Sequence, residues 1–499
     1  MEAILMGIQE IFRISTMLYI CGGIIFGFII GALPGLTGNM AIALMVPLTF
    51  TMPSVDALAF LTAIYCSSIF GGSVSAILLG IPGTISSMAT VWDGHPMALK
   101  GRAGEALGIA TLSSVFGGLF SAVALMFFTP ILAEQALKFG PAEYFTIAIL
   151  GLTCISGLGG GSITKALISA VIGLLISSIG MDPQTGFQRF TFGNMNLLEG
   201  VDLVAALIGL FGVASLLKSA GNSNQDVDDG PMPDVGSTWI GIKGCIKLIP
   251  TWIRGSIIGT IVGIIPGTGT NVATFVSYDF EKKISKNPDE FGKGEPKGVA
   301  APESANNGVT GGSLVPLLAL GVPGNSTSAL FLGAIMIHGL SVGPVLFTDH
   351  PAIVNGLFIS FFVANLLMAP IGLFLLRYMK RILSIPEKLM SGIIAAFCVT
   401  GVYSINSNPF DVLIMAIFGI MGYVFSKVKM PTAPLIVAMV LGPMTENSLR
   451  QALKLSGGSF AFIYERPIAF VVLILSVISL LFPVITNMIN KRKTANLAK

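Results

Sequence analysis

Charge is scarce in this sequence. Asp, Glu, Lys and Arg make up 11% of its 499 residues, against roughly 25% in average soluble chains. Hydrophobic residues make up 53%, and the mean hydropathy is +0.84. So few polar groups cannot cover a globule of 52.1 kDa in water, so the chain reads as an integral membrane protein. The same numbers exclude a disordered chain, a secreted disulfide scaffold and a nucleic-acid binder. The net charge of +3 (28 − 25) points to no acidic partner.

Histidine is scarce too. Three scattered His and no HExxH leave no candidate metal centre, and the absence of GxxxxGK[ST] excludes a P-loop ATPase. The five cysteines (Cys21, Cys66, Cys154, Cys245 and Cys398) form no CxxC pair and read as small core residues. Residues 1–13 carry Glu2, Glu10 and one Arg, a poor start for a cleaved signal peptide. With no catalytic constellation in view, the chain is expected not to be an enzyme and to need no cofactor.

What the sequence has in abundance is long apolar runs. They recur from 16–33 to 468–489 and predict an all-α polytopic membrane protein with about 10–12 transmembrane helices. Shorter pieces at 40–49, 272–278, 313–320, 329–337 and 434–441 predict re-entrant or broken half-helices. The runs are continuous, which excludes the alternating strands of a membrane barrel. The segment 93–102, with Asp93-Gly94-His95-Pro96, reads as a loop. A basic C-terminal tail predicts a cytoplasmic end.

A polar linker at 221–241 divides the chain into a first transmembrane repeat, 1–220, and a second, 242–499. Gly31-Ala-Leu-Pro34-Gly35-Leu-Thr37-Gly-Asn39 matches Gly263-Ile-Ile-Pro266-Gly267-Thr268-Gly-Thr270-Asn271 at an offset of 232 (266 − 34, 271 − 39). Gly71-Gly72-Ser73 leading into Gly80-Ile-Pro82-Gly83-Thr84 matches Gly311-Gly312-Ser313 leading into Gly321-Val-Pro323-Gly324-Asn325 at 241 for the Pro (323 − 82). Asp182-Pro183 and Met430-Pro431 form a weaker echo. Paired broken helices in a duplicated fold favour inverted repeats.

Pro-Gly inside an apolar run breaks a helix and exposes the N–H groups of the next one, which attract anions. The residues beside the four breaks are short and polar. Pro34, Gly35, Thr37 and Asn39, with Pro82, Gly83, Thr84, Ser86 and Ser87, are candidate substrate-binding residues in the first half. Pro266, Gly267, Thr268, Thr270 and Asn271, with Pro323, Gly324, Asn325, Ser326, Thr327 and Ser328, are their counterparts. Simple helix capping by the Ser, Thr and Asn is the competing reading. Glu303, Asn306 and Asn307 are candidate cation ligands, with Na+ as the expected coupling ion.

These motifs resemble the large membrane subunit of the tripartite tricarboxylate transporter family. The residues that carry the resemblance are 31–51, 71–107, 263–278, 303–307 and 320–328, in order along essentially the whole chain. The resemblance implies a bacterial inner-membrane secondary transporter. It further implies a small four-helix membrane subunit and a periplasmic solute-binding protein as partners, citrate-like carboxylates as substrates, and a cation gradient as driving force. A carboxylate-permeable channel or a stand-alone permease is the alternative.

Overall fold

The structure, a computed structural model, describes residues 2–33, 36–158, 162–182, 184–221, 234–266, 269–383 and 387–480. Pro34, Gly35, Gly267 and Thr268 lie outside the described residues, as do Pro183, most of the linker and the C-terminal tail.

The first half opens with α1 (Glu2–Ile11) and α2 (Ile14–Ala32). After the first break come α3 (Gly38–Thr49) and α4 (Ser54–Leu79). After the second come a 3-10 turn (Ile85–Ser87) and α5 (Met88–Met97), which passes through a π turn (Ala98–Arg102) into α6 (Ala103–Ala136). Then follow α7 (Pro141–Leu158), α8 (Ile163–Ser177), a hairpin of β1 (Gly180–Met181) and β2 (Gln188–Arg189), α9 (Leu203–Ile208) and α10 (Ala214–Gly221). The second half has α11 (Gly241–Ile264), α12 (Gly269–Ile284), α13 (Pro296–Leu320), α14 (Ser326–Ile337), α15 (Pro344–Asp349) and α16 (Pro351–Leu376). It ends with α17 (Met379–Leu383), α18 (Glu387–Asn406), α19 (Pro409–Lys427), α20 (Ala433–Leu455) and α21 (Phe462–Glu465).

Seven helices among the described residues are long and apolar enough to cross a membrane, and Gly38–Thr49, Ile163–Ser177 and Ser326–Ile337 are among the shorter apolar ones. The fold is therefore that of an all-α multi-pass membrane protein.

Glycine stripes set the closest helix crossings. Cβ atoms added at Gly23, Gly27 and Gly31 of α2 would lie 2.6, 2.3 and 2.1 Å from Phe60 O, Ser67 Oγ and Ser68 O of α4. At Gly255, Gly259 and Gly263 of α11 they would lie 2.1, 2.2 and 2.8 Å from Ser304 Oγ, Ala305 O and Val309 O of α13. Small residues every fourth position let membrane helices touch backbone to backbone. The two stripes are separated by the same 232 residues as the first pair of breaks (255 − 23, 263 − 31).

Three sequence readings need correction. Residues 313–320 and 434–441 are not half-helices but parts of α13 and α20. The start of α13 carries Glu303, Ser304, Asn306 and Asn307, which hide it from hydropathy, yet the helix is buried almost throughout. It faces α6 and α11 rather than lipid, so it needs little apolar surface. Residues 93–97 belong to helix α5, and only Gly101, at φ 74°, breaks regular helix in the turn that follows.

Candidate functional site

Each break has a helix end before it and a helix start after it. α4 and α13 both end in a left-handed glycine, Gly80 (φ 69°) and Gly321 (φ 75°), the backbone state that closes a helix and that glycine adopts without strain. The two breaks of each half then stack. A Cβ at Gly83 would lie 2.6 Å from Gly31 O, and one at Gly324 would lie 2.8 Å from Gly263 O. Gly83 N also donates to Gly72 O at 3.2 Å. Only glycine fits where backbones approach so closely.

The helix starts pair across the halves. At the α3–α14 pair, Asn39 Nδ2 donates to Ser326 Oγ (3.0 Å) and Thr327 Oγ1 donates to Asn39 Oδ1 (2.5 Å). At the other pair, α12 packs on the 3-10 turn and on α5. There the Trp92 ring meets Phe275 at 5.5 Å and Tyr278 at 4.9 Å. α4 and α13 touch both pairs. Tyr65 Oη, fully buried on α4, lies 3.0 Å from Ser313 Oγ and accepts from Asn325 Nδ2 at 2.9 Å.

Capping accounts for part of the polar set. Thr37 Oγ1 accepts from Met40 N at 3.3 Å and caps α3. Asn325 and Ser328 form a reciprocal capping box on α14. Thr84 makes no cap bond; its hydroxyl lies 2.9 Å from both Ser86 Oγ and Ser87 Oγ. Asn39, Thr84, Thr270, Asn271 and Ser326 are half-buried and Thr37 is exposed, whereas Ser86, Ser87, Pro323, Gly324 and Asn325 are buried. Pro82 and Pro266 are half-buried at their bends.

The cation candidates divide. Glu303 is fully buried and accepts hydrogen bonds from Thr90 Oγ1 and, at 3.1 Å, from Ser114 Oγ. Asn306, one turn on, is equally buried, and neither end of its amide has a partner. Asn307 donates to the backbone oxygen of the same Ser114 at 3.1 Å, and its Oδ1 is likewise buried without a partner.

Sequence reasoning missed Tyr65, Ser73, Thr90, Ser114 and Ser313 as site members. A usable signal was present: 303, 306, 310 and 313 fall on one face of a helix at i, i+3, i+7 and i+10 and are all polar. Asp93, read as a loop residue, is a buried anchor. Its Oδ1 accepts from Gly292 N (2.9 Å), Gly294 N (2.8 Å) and Glu295 N (2.8 Å), and its Oδ2 from Tyr278 Oη (2.8 Å). These bonds tie α5 of the first half to the loop before α13.

Broken helices whose starts meet inside a polytopic bundle define the class: a multi-pass membrane protein of the transporter type. The family model described as "Tripartite tricarboxylate transporter TctA family" matches residues 17–437, and the chain belongs to this family. A relative from Agrobacterium vitis, described as an uncharacterized 52.8 kDa protein in the TAR-I ttuC' 3' region, is 41% identical over 449 residues, 90% of this chain and 89% of that one. A shorter one from the same organism, in the TAR-II ttuC' 3' region, is 40% identical over 234 residues, 47% of this chain and 97% of that one. No solved structure matches.

Proposed function

We infer that this chain is the translocating subunit of a binding-protein-dependent importer of citrate-like carboxylates. In this reading it sits in a bacterial inner membrane beside a small four-helix subunit and receives substrate from a periplasmic solute-binding protein. A Na+ gradient drives uptake by alternating access. The observation that carries the reading is the crosswise meeting of helix starts, with Asn39 bonded to Ser326 and Thr327.

Helix N-termini attract carboxylates at about 1 kcal/mol each, so the two starts of one pair supply about 2 kcal/mol, a weak hold. Such weak binding suits a membrane subunit that is handed its substrate by a tighter-binding partner and must then release it.

The matched glycine stripes, left-handed glycines and stacked breaks support descent of the two halves, 1–220 and 242–499, from one repeat. An inverted relation is supported by α4 and α13. These counterparts lie antiparallel, with Tyr65 beside Ser313 and Ser73 beside Glu303.

The test is uptake into proteoliposomes holding this chain and its two partner subunits. Asn39→Ala with Asn271→Ala is expected to cut carboxylate uptake by at least about tenfold. Unchanged uptake would overturn the site. Equal uptake with and without a Na+ gradient would remove Na+ as the coupling ion.

A further inference from the structure

Glu303 presents a problem of charge. It is fully buried, and none of the ion pairs among the described residues reaches it. Its partners, Thr90 and Ser114, are neutral hydroxyls. A carboxylate deep in a membrane protein without a counter-charge is costly, and the cost disappears when a cation or a proton joins it.

The neighbours decide which. Asn306, one turn along the same face of α13, has a fully buried amide with no hydrogen-bond partner at either end. Ser73 of α4 stands beside the Glu303 carboxylate as a further buried hydroxyl. Idle buried polar groups cost about 1–3 kcal/mol each, so native proteins rarely keep them without use. A proton on Glu303 would neutralise the charge and supply a single O–H, enough to satisfy one acceptor at most. A hard cation takes the carboxylate, the idle Asn306 Oδ1 and the Ser73 Oγ together. One carboxylate balances one positive charge, which selects a monovalent ion over a divalent one.

We propose that Glu303, Asn306 and Ser73, enclosed by Thr90 and Ser114, form the binding site of one Na+, apart from the helix starts that take the carboxylate. The site rests on the transport reading for its role in coupling, while binding itself does not. Thr90 sits on α5 just beyond Ser86 and Ser87, so the ion lies one short step from a substrate-side helix start.

The test uses the full chain purified in detergent, without carboxylate or partner subunits, at constant ionic strength with choline replacing Na+. Unfolding temperature and retained ²²Na+ are the readouts. The wild type is expected to bind Na+ saturably. Glu303→Gln is expected to abolish binding, and Asn306→Ala and Ser73→Ala each to weaken it by about tenfold. Thr129→Val removes a buried, unpartnered hydroxyl farther along α6 and is expected to leave Na+ binding unchanged. If Glu303→Gln fails to fold, the two alanine variants carry the test. Undiminished Na+ binding in these variants, or a wild type that answers to pH and not to Na+, would overturn the proposal. Loss of carboxylate uptake with Na+ binding intact would count against the transport reading alone.

Discussion

Asn39 and Thr327, 288 positions apart in the chain, share a hydrogen bond of 2.5 Å between the starts of two short helices. Asn39 uses both ends of its amide there, accepting from Thr327 and donating to Ser326. The residue is half-buried.

Asn39→Asp keeps the size and adds a negative charge at that point. Carboxylate affinity is expected to fall by more than about tenfold, through Coulomb repulsion at short range. The measurement is the concentration dependence of uptake in proteoliposomes. An unchanged apparent affinity would place the carboxylate elsewhere.

Tyr65→Phe removes a single oxygen that serves both Ser313 and Asn325. The Asn325 amide then loses its buried acceptor, at an expected cost of about 1–3 kcal/mol. Thermal unfolding of the purified protein reads the loss. Transport is expected to fall as well, because Asn325 caps the helix that presents Ser326 and Thr327.

Gly31→Ala and Gly22→Ala form a contrast within one helix. A methyl at Gly31 meets the Ser68 carbonyl oxygen at 2.1 Å, whereas one at Gly22 meets nothing within 4 Å. Gly31→Ala is expected to destabilise by at least about 1–3 kcal/mol, since both partners are backbone. Gly22→Ala is expected to be neutral or stabilising by up to about 1 kcal/mol. Equal unfolding temperatures for the two variants would contradict the packing described for α2 and α4.

Asp93→Ala strips the acceptor from three backbone N–H groups and the Tyr278 hydroxyl. The expected cost is at least about 3 kcal/mol. Asp93→Asn keeps one oxygen for the three N–H groups and is expected to cost less. Protease cleavage within 285–295 is expected to rise in the alanine variant, because those bonds hold that loop to α5.

Asp182 supplies a pH test outside the spanning segments. The backbone N–H of Gln184, with the Arg450 guanidinium and Thr185 N–H, lowers its pKa from 3.8 to about 2. A depressed folded-state value means that the stabilisation is complete above the unfolded value and is lost as pH falls through the folded one. The unfolding-temperature gap between wild type and Asp182→Asn is thus expected to hold down to about pH 4 and to close toward about pH 2. A gap constant over that window would show that the carboxylate charge contributes nothing.

Much was legible before any coordinates. α3 and α14 were found as short apolar pieces, because an apolar run of that length bounded by Pro-Gly has few other solutions. α13 was misread because its burial is against protein, and a helix that meets no lipid need carry no hydropathy signal; α4, equally buried, does carry one. The glycine stripes of α2 and α11 were in plain view, yet their meaning depends on which helix lies opposite.

The sequence by itself determined the solvent, the helical class and the positions of the breaks. Those follow from local chemistry: apolar side chains, a ring that removes an N–H, a residue with no Cβ. Only the tertiary structure decided that Asn39 answers to Thr327 and that Ser73, Thr90 and Ser114 stand around Glu303. Pairings between residues hundreds of positions apart depend on how helices cross, and backbone-to-backbone approach at the glycine stripes sets those crossings.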